Sequence, residues 1–313
     1  MDELCLICNE IFSEDSHFWK KHKIKIADYY SKYLPKYDLY TKEPITFKSR
    51  EQYLLNDCLN RRNLANYIEN IENIEEKRDF CLKLLEKRRD IKNLIYSPTQ
   101  VELKSVILPT MLTYEKIFSQ GYYKLCEEIG LKNKFTKVLK EPISLTNKYN
   151  EKYHIIIDTR EQTPFKFNFP IQVGKLDVGD YGFSHAGLSK DVFVERKNIT
   201  DFISTLSSGY DRFKRELDRA KANNAYLVIV VESRFNYVIS FDYSKWLSKF
   251  TRATPDFIFH RVRELCQMYK NIQFVFLDGP SNAAKFTQFI LTSDGISREI
   301  DLQYHLDINK IIF

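Results

Sequence analysis

The segment from Asp191 to Asp201, Asp-Val-Phe-Val-Glu-Arg-Lys-Asn-Ile-Thr-Asp, constrains this chain more than any other. Its apolar start predicts a strand, and in a strand alternate side chains share a face. Glu195 and Lys197 therefore stand side by side, Arg196 points the other way, and Asp201 follows just beyond. A carboxylate beside an ammonium can hold a divalent cation while the ammonium orients a water or meets charge developing on a phosphate. Arg196 is left for a neighbouring group or a DNA phosphate. A lone Glu-Arg-Lys on a strand is commonly a solvated edge, so the upstream residues decide the reading.

Two upstream pieces supply more acids. Lys152 to Asp158 reads as an apolar strand ending in Asp158-Thr159-Arg160-Glu161, and Asp177-Val178-Gly179-Asp180-Tyr181-Gly182 sets a carboxylate between glycines that permit a tight bend. Asp158, Glu161, Asp180 and Glu195 can converge on Mg²⁺ or Mn²⁺, hard cations that take oxygen ligands. The order of pieces is that of a PD-(D/E)XK core, with Asp180 as first acid and Glu195-Arg196-Lys197 as the E-x-K element.

With these motifs the sequence resembles the XPF-type nucleases, marked by D-x-R-E, G-D-Y and E-R-K-x-x-x-D. Residues 152–295 carry the likeness, which continues through Phe202 to Leu206, Arg212-Phe213 and the strand from Tyr226. It implies a restriction-endonuclease-like α/β core that cuts DNA with Mg²⁺ or Mn²⁺, in which Asp158, Arg160, Glu161, Asp180, Glu195, Arg196, Lys197 and Asp201 form the catalytic set. Arg160 and Asp201 could equally be structural ion-pair members. Eukaryotic members continue into a paired helix-hairpin-helix module, and no such module is recognisable here; recognition is then expected from the N-terminal half.

Near the start, Cys5, Cys8, His17 and His22 follow a C-x2-C-x8-H-x4-H spacing. Two thiolates and two imidazoles suit tetrahedral Zn²⁺. The gap of eight is shorter than that of the common two-Cys, two-His finger, which predicts a small zinc knuckle over residues 1–30 rather than a base-reading finger.

Residues 31–140 predict a mainly helical region. Ile68, Ile71 and Ile74, then Phe80, Leu84, Leu85, Ile91, Leu94 and Ile95, recur at helical spacing through dense charge. Between residues 97 and 131, Ser97-Pro98-Thr99, Leu108-Pro109-Thr110 and Gln120-Gly121 punctuate three short helices, with Gly130 as a C-cap. This makes a helix-turn-helix-like unit, and it resembles a single homing-endonuclease-associated repeat. Lys20, Lys21, Lys23, Lys25, Tyr122, Tyr123, Lys124, Lys132 and Lys134 are the residues expected on DNA.

Composition narrows the class. No apolar run approaches a membrane span, and scattered cysteines argue against a disulfide framework. Cys58, Cys81, Cys126 and Cys266 read as buried thiols, and the reading places the chain in the cytoplasm. A net charge of +6 favours a polyanionic partner. Glu141 to Glu151 predicts a polar linker, and 152–313 the nuclease domain. There Thr254-Pro255-Asp256 opens a predicted helix through Met268, Ile272 to Leu277 predicts a strand, and Ser281 a helix start.

The expectation is an α/β, restriction-endonuclease-like core preceded by a mainly α-helical domain with a zinc knuckle. The partner is double-stranded DNA, with homodimerisation through the nuclease domain as a further possibility. Three functions stay open: a homing-like, site-specific endonuclease; a flap- or branch-selective enzyme of repair or recombination; and a DNA-binding protein without catalysis.

Overall fold

The computed structural model describes residues 3–25 except 6, 9, 13 and 15; residues 64, 65 and 68–144 except 107; residues 153–240 except 186, 187 and 190; and residues 253–313 except 294. Cys58 and most of the 141–151 segment lie outside the described residues. Two compact units result, one of residues 1–95 and 106–130, the other of 96–105 and 131–313.

In the first unit, strands β1 (Glu3–Leu4) and β2 (Ile11–Phe12) pair antiparallel and lead into helix α1 (Ser16–His22). Phe18 is the buried residue of α1, its ring edge-on to Phe12 at 4.7 Å. This hairpin-plus-helix is more than the bare knuckle expected. Helix α2 (Ile74–Lys92) starts where Asn73 accepts hydrogen bonds from the N–H groups of Glu75 and Glu76, and it ends at Asn93 in the left-handed region. Ile71 therefore lies outside the helix. Phe80, Cys81, Leu84 and Leu85 form its buried stripe, but Ile91 and Ile95, expected to continue that stripe, are exposed.

The three predicted helices appear as α3 (Gln100–Lys104), α4 (Met111–Ile117) and α5 (Tyr122–Glu128). The Thr99 hydroxyl caps Glu102 N–H while the Glu102 carboxylate accepts from Thr99 N–H. The unit expected over 97–131 is divided: α3 packs in the second compact unit, and α4 and α5 in the first. There the rings of Tyr114 and Tyr122 lie 5.4 Å apart in the core, and the Tyr114 hydroxyl donates to the Cys81 carbonyl.

The second unit is built on a seven-stranded sheet. Strands β3 (Ile143–Ser144), β4 (Tyr153–Asp158), β5 (Ile171–Gly174), β6 (Tyr181–His185), β7 (Leu188–Ser189) and β8 (Val192–Lys197) come first, and then helices α6 (Ile199–Leu206) and α7 (Tyr210–Ala222). Strand β9 (Tyr226–Val231), helices α8 (Phe235–Ser240) and α9 (Pro255–Met268), strand β10 (Ile272–Phe276), helices α10 (Gly279–Thr292) and α11 (Leu302–Asp307) and strand β11 (Ile311–Ile312) complete it. The sheet order is β10-β9-β8-β6-β4-β5, with β7 on β6; β8, β9 and β10 are parallel, and β6 runs against both β4 and β8. Every residue of β9 is buried, as a central parallel strand covered on both faces requires.

Two cores flank this sheet. Phe202, Phe213, Leu217 and Val262 of α6, α7 and α9 fill one face, while Phe286, Phe289 and Ile290 of α10 fill the other with Val192 and Val194. The Thr254 hydroxyl and Pro255 start α9 as expected. Helix α10 starts at Gly279, two residues before the expected Ser281. Strand β3, inside the predicted 141–151 linker, pairs with β11. Burial pushes the thiols of Cys81, Cys126 and Cys266 up to about 12, so these three are inert packing groups.

Candidate functional site

At the carboxyl end of β8 the alternation predicted from sequence is realised. Phe193 packs with the α6–α7 core, which puts Glu195 and Lys197 on that face. Arg196 goes to the α10 side, where it shares a cavity with Pro280 and Ala284. Asp180 is brought in by a turn that only glycine allows. Gly179 has φ +71°, and a Cβ there would lie 2.9 Å from the Val194 carbonyl oxygen. That close approach lets Asp180 N–H donate to Val194 O at 2.8 Å, and Arg196 N–H donate to Asp180 Oδ2 at 2.8 Å.

Asp180, Glu195 and Lys197 thus share a cleft of about 310 Å³. Glu195 is 6% exposed, and its Oε1 accepts from Lys197 Nζ. Burial raises the Asp180 carboxyl to about 7, with the charge of Glu195 next in weight. Burial also raises Glu195, against the opposing pull of Lys197. Burial alone would lower Lys197, yet Glu195 beside it and Asp180 hold it above the ordinary lysine value. A buried and a half-buried carboxylate with elevated proton affinity are a donor set that a hard divalent cation fits, because its charge removes the repulsion that burial magnifies.

The remaining predicted residues are placed differently. Asp158, expected as a metal ligand, is 1% exposed, and its oxygens are taken by Arg160 Nε at 2.6 Å, Arg160 N–H at 2.8 Å and Leu176 N–H at 2.6 Å. Burial raises its proton affinity, but these donors outweigh burial and leave the pKa lowered. In this structure Asp158 holds a loop and aims Arg160 at the cleft. Glu161, also expected on the metal, pairs with Arg196 Nη1 at 3.3 Å. Arg196 itself bonds Glu232 and the Thr163 carbonyl and covers the Phe165 ring at 4.3 Å, so it joins protein loops and does not face the cleft. Asp201, expected in the catalytic set, lies on the first turn of α6, where it accepts from Asn198 Nδ2 at 2.5 Å while Asn198 Oδ1 caps its N–H. It works as a cap.

Sequence reasoning missed three residues lining the cleft: Glu216 and Arg219 altogether, and Arg212 except as part of the resemblance. They recur at i, i+4 and i+7 along α7, a row visible in the sequence only once the apolar row Tyr210, Phe213, Leu217 and Ala220 is assigned to the core. Glu232, the partner of Arg196, was likewise not singled out.

In the first unit, Cys5, Cys8, His17 and His22 come together with all ligand atoms within 4.8 Å of one another. Cys5 Sγ is 3.4 Å from His22 Nε2, Cys8 Sγ 3.5 Å from His17 Nε2, and the two Nε2 atoms are 3.3 Å apart. A tetrahedron with Zn–S of about 2.3 Å and Zn–N of about 2.0 Å has edges of about 3.5 Å (S···N) and about 3.3 Å (N···N). The residues fit that metal.

The residues expected on DNA divide. Lys20, Lys23 and Lys25 are exposed, and Lys21 is exposed but paired with Glu10. Tyr122 is fully buried, and Tyr123, half-buried, donates to Met111 Sδ at 4.0 Å. Lys124 is exposed and pairs with Glu127 at 3.3 Å, and Lys132 is exposed. Lys134 is buried, its ammonium donating to the Cys266 and Tyr269 carbonyls at 3.0 Å each. Tyr122 and Lys134 are therefore structural: one fills a core, the other satisfies the carbonyl end of α9.

A model of the ERCC4 domain matches residues 157–290. Among solved structures, XPF from Aeropyrum pernix matches with 19% identity and a TM-score of 0.33, covering 45% of this chain and 61% of that one. XPF from Aeropyrum pernix in complex with DNA matches with 18% identity and a TM-score of 0.34, covering 50% of this chain and 72% of that one. No curated protein matches. Among the described residues no helix is long and apolar enough to cross a membrane.

Proposed function

We propose that this chain, whose residues 157–290 carry an ERCC4 domain and belong with the XPF-type nucleases, is a divalent-metal-dependent DNA endonuclease. The observation that carries the reading is the convergence of Asp180, Glu195 and Lys197 in one cleft, with Arg160, Arg212 and Arg219 around it. Acids on the floor suit a cation, and guanidinium groups at the rim suit the phosphates on either side of it.

Asp180 and Glu195 would hold Mg²⁺ or Mn²⁺, which supplies Lewis-acid polarisation of the scissile phosphate and a more acidic water. Lys197, kept protonated by Glu195, donates to a non-bridging phosphate oxygen or orients the attacking water. Arg160, braced by Asp158, binds a phosphate. The backbone N–H of Arg196 fixes the Asp180 carboxylate, so the acid does not have to be ordered when the cation enters.

A second metal belongs to the same reading. Cys5, Cys8, His17 and His22 bind one Zn²⁺, supported by the tetrahedral edges above. Its role is to hold the hairpin and α1 together, as structural zinc does in small modules with little core.

For the target, the flap- or branch-selective reading is put ahead of the homing-like one. Tyr122, at the start of the helix expected to enter DNA, is buried, and a buried side chain reads no base edge. The deciding experiment is incubation of the full chain with Mg²⁺ and a panel of plain duplexes, flaps and forks in unrelated sequences. Cleavage that follows strand geometry supports the proposal. Cleavage of one intact duplex sequence supports the homing-like reading, and binding without cleavage under Mg²⁺ or Mn²⁺ overturns the enzyme assignment.

A further inference from the structure

We infer that Trp19, with Lys20, Lys23 and Lys25, forms a contact for single-stranded DNA, in which the indole stacks on an unpaired base and the ammonium groups meet the flanking phosphates. This inference rests on the DNA-directed reading above and needs nothing from the cleft.

The face is set by how α1 packs. At 3.6 residues per turn, His17, Phe18 and His22 share one side of the helix, where Phe18 is buried and both imidazoles meet the cysteines. Trp19 and Lys20 fall on the other side. Trp19 is 61% exposed, and among the described residues no ring, ion pair or hydrogen bond takes its side chain. Lys20, Lys23 and Lys25 are exposed as well, and among the described residues none of them is paired. Lys21 differs, because Glu10 engages it.

The end of α1 carries a lysine where glycine is the ordinary residue. Lys23 N–H donates to the Trp19 carbonyl and Ile24 N–H to the Phe18 carbonyl, both at 3.3 Å, and Lys23 has φ +55°. Glycine would close such a left-handed helix end at lower cost. What the lysine adds is a charge one turn after the indole.

An isolated exposed aromatic needs no explanation, but an unpartnered indole among three unpaired cations complements one kind of partner. Single-stranded DNA offers base faces and phosphates in alternation, and stacking on an aromatic ring tolerates any base. In a duplex the neighbouring pairs occupy both faces of a base, so the indole finds a partner only where a strand is unpaired. Flaps and forks carry such strands along their length, and plain duplexes do not.

The test is fluorescence of the zinc-loaded full chain carrying Trp246→Phe, which leaves Trp19 as the one tryptophan. It is titrated, without added divalent metal, with a short oligothymidylate and with a hairpin duplex of equal charge. The single strand should quench the emission, and the duplex should quench it far less. By anisotropy of labelled DNA, Trp19→Ala should weaken single-strand binding by about ten-fold, and Trp19→Phe, which keeps a ring, should recover part of that loss. Lys23→Gly should weaken binding and lower its salt slope by about 0.7 while leaving the fold at least as stable. The quenching needs no change at Trp19, so it stands where Trp19→Ala fails to fold. Where Trp246→Phe does not fold, the difference in quenching between wild type and Trp19→Phe gives the same reading. Equal quenching by duplex and single strand, or none by either, overturns this inference, and forks cut under Mg²⁺ by the same protein leave the nuclease reading standing. Quenching by the single strand in a chain that cuts no DNA keeps this inference and overturns the enzyme assignment.

Discussion

The backbone N–H of Arg196 donates to Asp180 Oδ2 at 2.8 Å, so the first acid of the cleft is fastened to the strand that carries the second. The relative position of Asp180 and Glu195 is then a property of the β6–β8 pairing rather than of two side-chain rotamers. A cation entering this site meets ligands that are already in place.

The first expected outcome concerns those acids. Asp180→Asn and Glu195→Gln should each reduce cleavage under Mg²⁺ by at least about 100-fold while leaving DNA affinity nearly unchanged, because what is lost is the cation's charge at the phosphate. Gel-based cleavage and fluorescence anisotropy measure the two effects separately. Near-wild-type cutting by either variant would refute the assignment.

Gly179→Ala forces a side chain into the left-handed region and a Cβ against the Val194 carbonyl. It should cost about 1–3 kcal/mol and move Asp180 away from Arg196 N–H. Thermal unfolding and cleavage should fall together; a fully active, equally stable variant would show that the turn is not what positions the acid.

The stability of the metal-free protein should depend on pH in a defined direction. The Asp180 carboxyl rises from an ordinary value of 3.8 to about 7 on folding, so the folded chain binds more protons than the unfolded chain between those values. Its contribution is fully present below about pH 4 and is lost as pH climbs through about 7. The slope from this group approaches about 1.4 kcal/mol per pH unit at most. Asp180→Asn should flatten this part of the curve in denaturant titrations, and added Mg²⁺ should counteract the loss at the upper end. A wild-type curve unaffected by Asp180→Asn would contradict the raised proton affinity of this carboxylate beside Glu195.

Arg196→Ala separates a structural role from a phosphate contact. Removing the guanidinium leaves Glu232 and Glu161 without their partner and uncovers Phe165, which should destabilise the fold by about 2–4 kcal/mol. DNA affinity under folding conditions should stay within about two-fold, since a phosphate contact is not what was lost. A large affinity loss with unchanged stability would return Arg196 to the DNA interface.

Protein purified without chelator should carry one zinc per chain by elemental analysis, and Cys8→Ser should lose it, because structural zinc needs its full ligand set. A metal-free chain with the hairpin and α1 still folded would refute the zinc assignment.

Local pattern alone determined the parts of this protein that depend on short-range geometry. Strand alternation separated Glu195 and Lys197 from Arg196, the glycine before Asp180 marked a turn closed to other residues, Thr99 and Thr254 announced their helices, and the Cys5, Cys8, His17, His22 spacing announced a tetrahedral cluster. Each of these follows from backbone period or ligand geometry within a few turns of chain. The tertiary structure alone decided how the charges were shared out. Asp158 and Glu161 look like Asp180 in sequence, yet arginines hold both away from the cleft, and Glu216 enters it from a helix whose orientation is set by its buried row. Tyr122 and Lys134 read as contacts for DNA and are packed inside instead. A carboxylate or a lysine has no preferred partner until distant segments meet, because Coulomb and desolvation energies depend on distance and burial, which no local pattern specifies.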